Sequence, residues 1–77
     1  MTVEQLRNVH QAKPFHPYTL KVADGSRIVV RHPEFLSVSP VGRTVIVWQP
    51  DGSFEVVDLL LVASILVQDG KTRARRP

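Results

Sequence analysis

Three cations stand out in this chain because their spacing puts them together. Lys21 lies before an Asp24-Gly25 dipeptide, and Arg27 and Arg31 follow it. On both sides of that dipeptide apolar and polar residues alternate: Tyr18, Leu20 and Val22 against Thr19 and Lys21, then Ile28 and Val30 against Arg27 and Arg31. Alternation around Asp-Gly is the signature of a β-hairpin. Residues two apart on a strand share a face, so Lys21, Arg27 and Arg31 are expected on one outward face, opposite Leu20, Val22, Ile28 and Val30. Three cations on a sheet face are suited to meet phosphates.

The other chemistry-bearing residues form no constellation. Asp24, Asp51 and Asp69 each precede a glycine and read as turn residues. Asp58, between Val56-Val57 and Leu59-Leu60-Leu61, must point outward, cap a bend or pair with a cation. Ser37, Ser39, Ser53 and Ser64 lack a nucleophile-elbow context. The four glycines are too scattered for a phosphate-cradling loop. His32-Pro33-Glu34 reads as a strand bend, since proline cannot donate to a ladder. His10, His16 and His32 have no metal-ligand spacing, and the chain has no cysteine. The chain is therefore read as non-enzymatic, with no cofactor and no metal. Trp48 and Tyr18 offer rings for base stacking, but a lone Trp closing the Val45-Ile46-Val47 run is expected in the core.

The elements that must position these residues follow from the pattern. Thr2 and Gln5 make a capping box, and Val3, Leu6 and Val9 give a narrow apolar stripe. This predicts a short helix ended by Pro14 and lying on the end of a barrel rather than inside a core. About five strands follow: Tyr18–Val22, Arg27 onward with Phe35, Leu36 and Val38 continuing beyond the bend, Thr44–Trp48, Phe54–Val57, and Leu59–Val67 as one strand or two short ones. Tight turns at residues 40–43 and at Pro50-Asp51-Gly52 separate them. The strand pattern argues a small barrel or sandwich, and the expected fold is mainly β, a short N-terminal helix followed by a five-stranded, strongly bent small β-barrel; no internal repeat is apparent. No apolar run approaches the roughly 20 residues of a membrane-spanning helix, and no secretory signal is evident, so a cytoplasmic location is expected.

Charge divides the 77 residues into a domain, 1–70, and a disordered basic tail, 71–77. Lys71, Arg73, Arg75 and Arg76 supply four of the ten basic residues, which leaves six basic against seven acidic residues in the domain. The tail is expected to attract polyanions without specificity. A domain this small buries only about 60% of its unfolded surface, so it is expected to gain stability by association. Leu59–Val67 shows no alternation, so both its faces should be covered. A second copy is the natural cover, with Leu61, Ile65, Leu66 and Val67 as candidate interface residues.

This combination of a short helix, five bent strands, no cysteine and assembly through a late strand resembles the Sm-like family, in particular bacterial Hfq. The closest stretch is His16-Pro17-Tyr18-Thr19-Leu20-Lys21-Val22-Ala23-Asp24-Gly25-Ser26-Arg27-Ile28. The resemblance implies a homo-oligomeric ring that binds single-stranded RNA, with Gly25 and Arg27 at positions of the family's distal, adenine-preferring face. Lys21 stands where the family places a stacking tyrosine, and the family's Lys-His pair is absent near Leu59-Leu60. The sequence also resembles a group of short uncharacterised bacterial proteins. The alternative expectation is a structural or adaptor module that self-assembles and binds a protein partner.

Overall fold

A computed structural model describes residues 1–67. The Lys71, Arg73, Arg75 and Arg76 tail lies outside the described residues, as does the end of the 1–70 domain. The chain is mainly β, with one helix, α1 (Val3–His10), and six strands: β1 (Tyr18–Val22), β2 (Arg27–Val30), β3 (Leu36–Val38), β4 (Thr44–Trp48), β5 (Phe54–Asp58) and β6 (Val62–Val67). Two 3₁₀ turns, Pro33–Phe35 and Leu59–Leu61, lead into β3 and β6. No described helix is long and apolar enough to cross a membrane.

The capping box forms as expected. The Gln5 amide donates to Thr2 Oγ1 at 3.2 Å, and the Thr2 amide donates to Gln5 Oε1 at 3.1 Å. Together they satisfy two amides that have no partner within the helix. The helix ends at His10 with Gln11 as its cap, ahead of Pro14. Its stripe is more than a lid. Leu6 is fully buried in the core, with Val3 and Val9 packed against it, so α1 contributes to the interior rather than resting on a barrel end.

Among the described residues no closed barrel is seen: the strands form two three-stranded antiparallel sheets, β2-β1-β6 and β3-β4-β5. The count rises to six because Pro33–Phe35 winds a 3₁₀ turn where a bend was expected. Proline fixes its φ and supplies no amide, which suits the first position of such a turn and stops the β2 ladder. β2 and β3 consequently belong to different sheets. Likewise Leu59–Leu61 is a 3₁₀ turn rather than the start of the last strand. The inner faces meet in one core of Tyr18, Leu20, Ile28, Val30, Leu36, Val45, Val47, Val57, Leu59 and Val62 with Leu6.

The topology contains a two-fold repeat. Each half is a hairpin, then a 3₁₀ turn, then a third strand: β1-β2-β3 and β4-β5-β6. The third strands are exchanged, so that β3 pairs with β4 and β6 pairs with β1. The sheet orders β2-β1-β6 and β5-β4-β3 interconvert when the halves are swapped. The two hairpin turns match in detail. Asp24-Gly25-Ser26 and Asp51-Gly52-Ser53 both place glycine at φ 93°, a left-handed conformation that glycine reaches without a Cβ penalty. In both, the serine amide and hydroxyl donate to the aspartate Oδ1 at 2.9 and 2.7 Å. These are three-residue hairpin loops with a glycine bulge.

Candidate nucleic-acid interface

The first hairpin brings its cations together as its alternation requires. Lys21 pairs directly with Arg27 across β1 and β2. The Val22 amide donates to the Ser26 carbonyl at 2.9 Å, so Lys21 and Arg27 form the adjacent pair without mutual hydrogen bonds, where side chains lie closest. Arg27 is exposed and Lys21 half-buried, while Leu20 and Ile28 behind them are buried. Arg31 follows Val30, beyond the last paired position of β2, and is exposed. Gly25 forms the turn, and open space surrounds the point where its side chain would begin. Its glycine is required by backbone conformation alone.

The ion pair among the described residues lies elsewhere, between Arg43 and Asp58; Lys21, Arg27 and Arg31 form none. Arg43 Nε and Nη2 donate to the two oxygens of Asp58 at 3.3 Å each. Asp58 Oδ1 also accepts from the Leu60 amide at 2.9 Å, which starts the second 3₁₀ turn. The Arg43 hydrogen bond, with help from the Leu60 amide, holds the Asp58 carboxyl below the ordinary aspartate range. Asp24 and Asp51 are lowered by their serine partners, through the Ser26 amide foremost in Asp24 and the Ser53 hydroxyl foremost in Asp51. These carboxylates stabilise turns. Asp24 and Asp51 are exposed and partnered within their own turns, while half-buried Asp58 pairs with Arg43, 15 positions away.

Trp48 overturns its expected place. It closes β4 opposite Phe54 of β5, on the outer face of the second sheet. Its ring centroid lies 4.9 Å from that of Phe54, and the two residues are 38% and 54% exposed. Val56 is exposed on the same face, and Ile46 beside it is half-buried. In the repeat, Trp48–Phe54 occupies the position of Lys21–Arg27, one pair before the Asp-Gly-Ser loop.

Of the candidate interface residues, Leu61, Leu66 and Val67 are exposed, and Ile65 packs on the core. Among the described residues β6 pairs only with β1 and β5 only with β4, so each is a sheet edge. An edge strand offers unpaired amides and carbonyls to another chain. Short β3, and β2 with Arg27 at its start and His32-Pro33 behind it, are poor templates. β6, six residues with no charge and no proline, has no such protection.

A feature not anticipated from the sequence joins α1 to β1 and to the first 3₁₀ turn. His10 Nε2 lies 2.8 Å from the Pro33 carbonyl and Nδ1 lies 2.7 Å from the Tyr18 hydroxyl. The carbonyl only accepts, so Nε2 donates there, and in the neutral imidazole Nδ1 accepts from the Tyr18 hydroxyl. Tyr18 is fully buried, and burial pushes its phenol above the ordinary value. Phe15 packs edge-on against His10, at 5.7 Å between centroids. A shallow groove of about 530 Å³ runs past His10, Pro14, Phe15 and Pro33. No cluster of metal-ligating side chains occurs among the described residues. No family model, curated protein or solved structure matches this chain.

Proposed function

We propose that this chain is a self-assembling small β module of the Sm-like type that binds single-stranded RNA through the Lys21–Arg27–Arg31 face, repeated in every copy of a ring. The observation that carries this reading is the direct opposition of Lys21 and Arg27. Like charges facing each other across strands cost stability. A small domain that keeps such a pair, with no carboxylate partner among the described residues, is suited to hold a polyanion there.

Assembly is supported by the edges. A standard interface removes about 800 Å² from each partner, about 15% of the 5324 Å² surface. Val56, Leu60 and Leu61 along β5 and the turn after it, with Leu66 and Val67 on β6, supply exposed apolar side chains for such contacts. Pairing β5 of one copy with β6 of the next is heterologous, and it gives a ring when the rotation from copy to copy closes. Repetition then multiplies weak phosphate contacts into useful avidity. Native mass spectrometry of the chain, with and without a short RNA, tests both parts. Oligomers carrying bound RNA are expected, and a bare monomer under both conditions overturns the proposal.

The second reading, an adaptor that self-assembles and docks a protein, is favoured by the exposed Trp48–Phe54 pair. Aromatic side chains anchor protein interfaces as readily as they stack bases. Loss of RNA binding by an intact oligomer is the result that would favour it.

A further inference from the structure

We propose that the Trp48–Phe54 pair of one copy and the Lys21–Arg27 pair of the next form one composite site for single-stranded RNA, bases stacking on the first and phosphates meeting the second. This rests on the assembly reading above. Within one copy the two pairs cannot act together. The sheets pack through their inner faces, and both pairs lie on the outer faces, which look away from each other.

Edge pairing changes that relation. Joining β6 of one copy to β5 of the next makes a continuous sheet in the order β2-β1-β6, then β5-β4-β3. If every copy curves in the same sense, as ring closure requires, the cores stay on one side and the outer faces become coplanar. Lys21 is then separated from the neighbour's β5 by two strand spacings, roughly 10 Å at about 4.8 Å each. The residue between them, Ser64, pairs with Lys21, is exposed and is too small to block a strand of nucleic acid. Phe54 starts β5, with Trp48 directly behind it on β4.

The aromatic pair suits base stacking. The rings are tilted by 45°, which leaves ring surface uncovered on an exposed face. Stacking is tolerant of base identity because every base has a π face, so the site selects single strands rather than a sequence. The two halves of the fold thus divide the work: equivalent positions before equivalent turns carry cations in one hairpin and aromatics in the other.

The test uses the full chain with fluorescently labelled oligo(A) and oligo(U). Trp48 is the only tryptophan, so its fluorescence reports the site directly. Quenching on RNA binding is expected. A Trp48→Ala, Phe54→Ala chain should remain oligomeric and bind at least about tenfold more weakly. A Lys21→Glu, Arg27→Glu chain should also remain oligomeric, with its binding reduced at least as far. Co-assembling the two defective chains should restore affinity, because one kind of junction then joins intact cations to intact aromatics. Unquenched Trp48 with RNA bound, wild-type affinity in the aromatic variant, or a mixture no better than its components would overturn the composite site. A wild-type chain that stays monomeric or binds neither RNA overturns the parent reading instead.

Discussion

Lys21 faces Arg27 across the first hairpin, two cations side by side that pair with no carboxylate among the described residues. The relationship makes a prediction in which stability and function move in opposite directions. Arg27→Glu converts a repulsive cross-strand pair into an attractive one and should stabilise the fold by about 0.2–1 kcal/mol. The same change should abolish RNA binding. Urea denaturation and fluorescence anisotropy on one preparation check both. A destabilised variant that still binds would contradict this account of the face.

His10 is expected to matter more for stability than its partial exposure suggests. His10→Ala leaves the fully buried Tyr18 hydroxyl without a partner, at a cost of about 1–3 kcal/mol, with further loss of ring packing. Tyr18→Phe should cost less, about 1 kcal/mol, because half-buried His10 keeps its bond to Pro33 and water can reach Nδ1. Chemical denaturation of the two variants gives the order. Equal losses, or the reverse order, would mean the junction is not held this way.

The hairpins were legible in the sequence because alternation and Asp-Gly chemistry are local. The Thr2–Gln5 capping box was legible for the same reason. The two-fold repeat was not. Its halves share little beyond Asp-Gly-Ser and two valines, and it is defined by which strands exchange. Trp48 was misplaced because a Val-Ile-Val run suggests a buried strand, whereas its register opposite Phe54 sets the face it takes. The His10–Tyr18–Pro33 junction joins residues up to 23 positions apart, and no spacing rule reaches it. Pro33 signalled a break, yet nothing local indicated that the break would send β2 and β3 into different sheets.

Assembly should respond to the exposed side of β6 and not to its core side. Leu66 is 48% exposed, so Leu66→Asp should leave the monomer folded while dissociating the oligomer. Ile65→Asp places a charge against the core and should unfold the chain as well. Circular dichroism with native mass spectrometry separates the two results. An oligomer unaffected by Leu66→Asp would move the interface away from this edge.

Acid should weaken the fold through its turns. The Asp24, Asp51 and Asp58 carboxyls all sit below the ordinary value of 3.8 in the folded chain. A depressed group contributes stability that is present above its unfolded value and disappears as pH falls through its folded value. Stability should therefore be steady down to about pH 4 and decline below it. Asp58→Asn, which keeps an oxygen for the Leu60 amide but removes the charge facing Arg43, should make that decline shallower. A decline of unchanged steepness would show that Asp58 does not contribute.

The most direct measurement separates the domain from its basic tail. Lys71, Arg73, Arg75 and Arg76 attract any polyanion, and each phosphate neutralised on a single strand adds roughly −0.7 to the slope of log affinity against log salt. Anisotropy of adenine-rich and uridine-rich RNAs with the chain truncated after Gly70 should show a flatter slope than with the full chain. The truncated chain should nevertheless bind, because the Lys21–Arg27–Arg31 face repeats around the assembly. Binding at low salt that is lost in Arg27→Glu is the predicted result. A truncated, oligomeric chain that binds neither RNA at low salt would contradict the RNA reading.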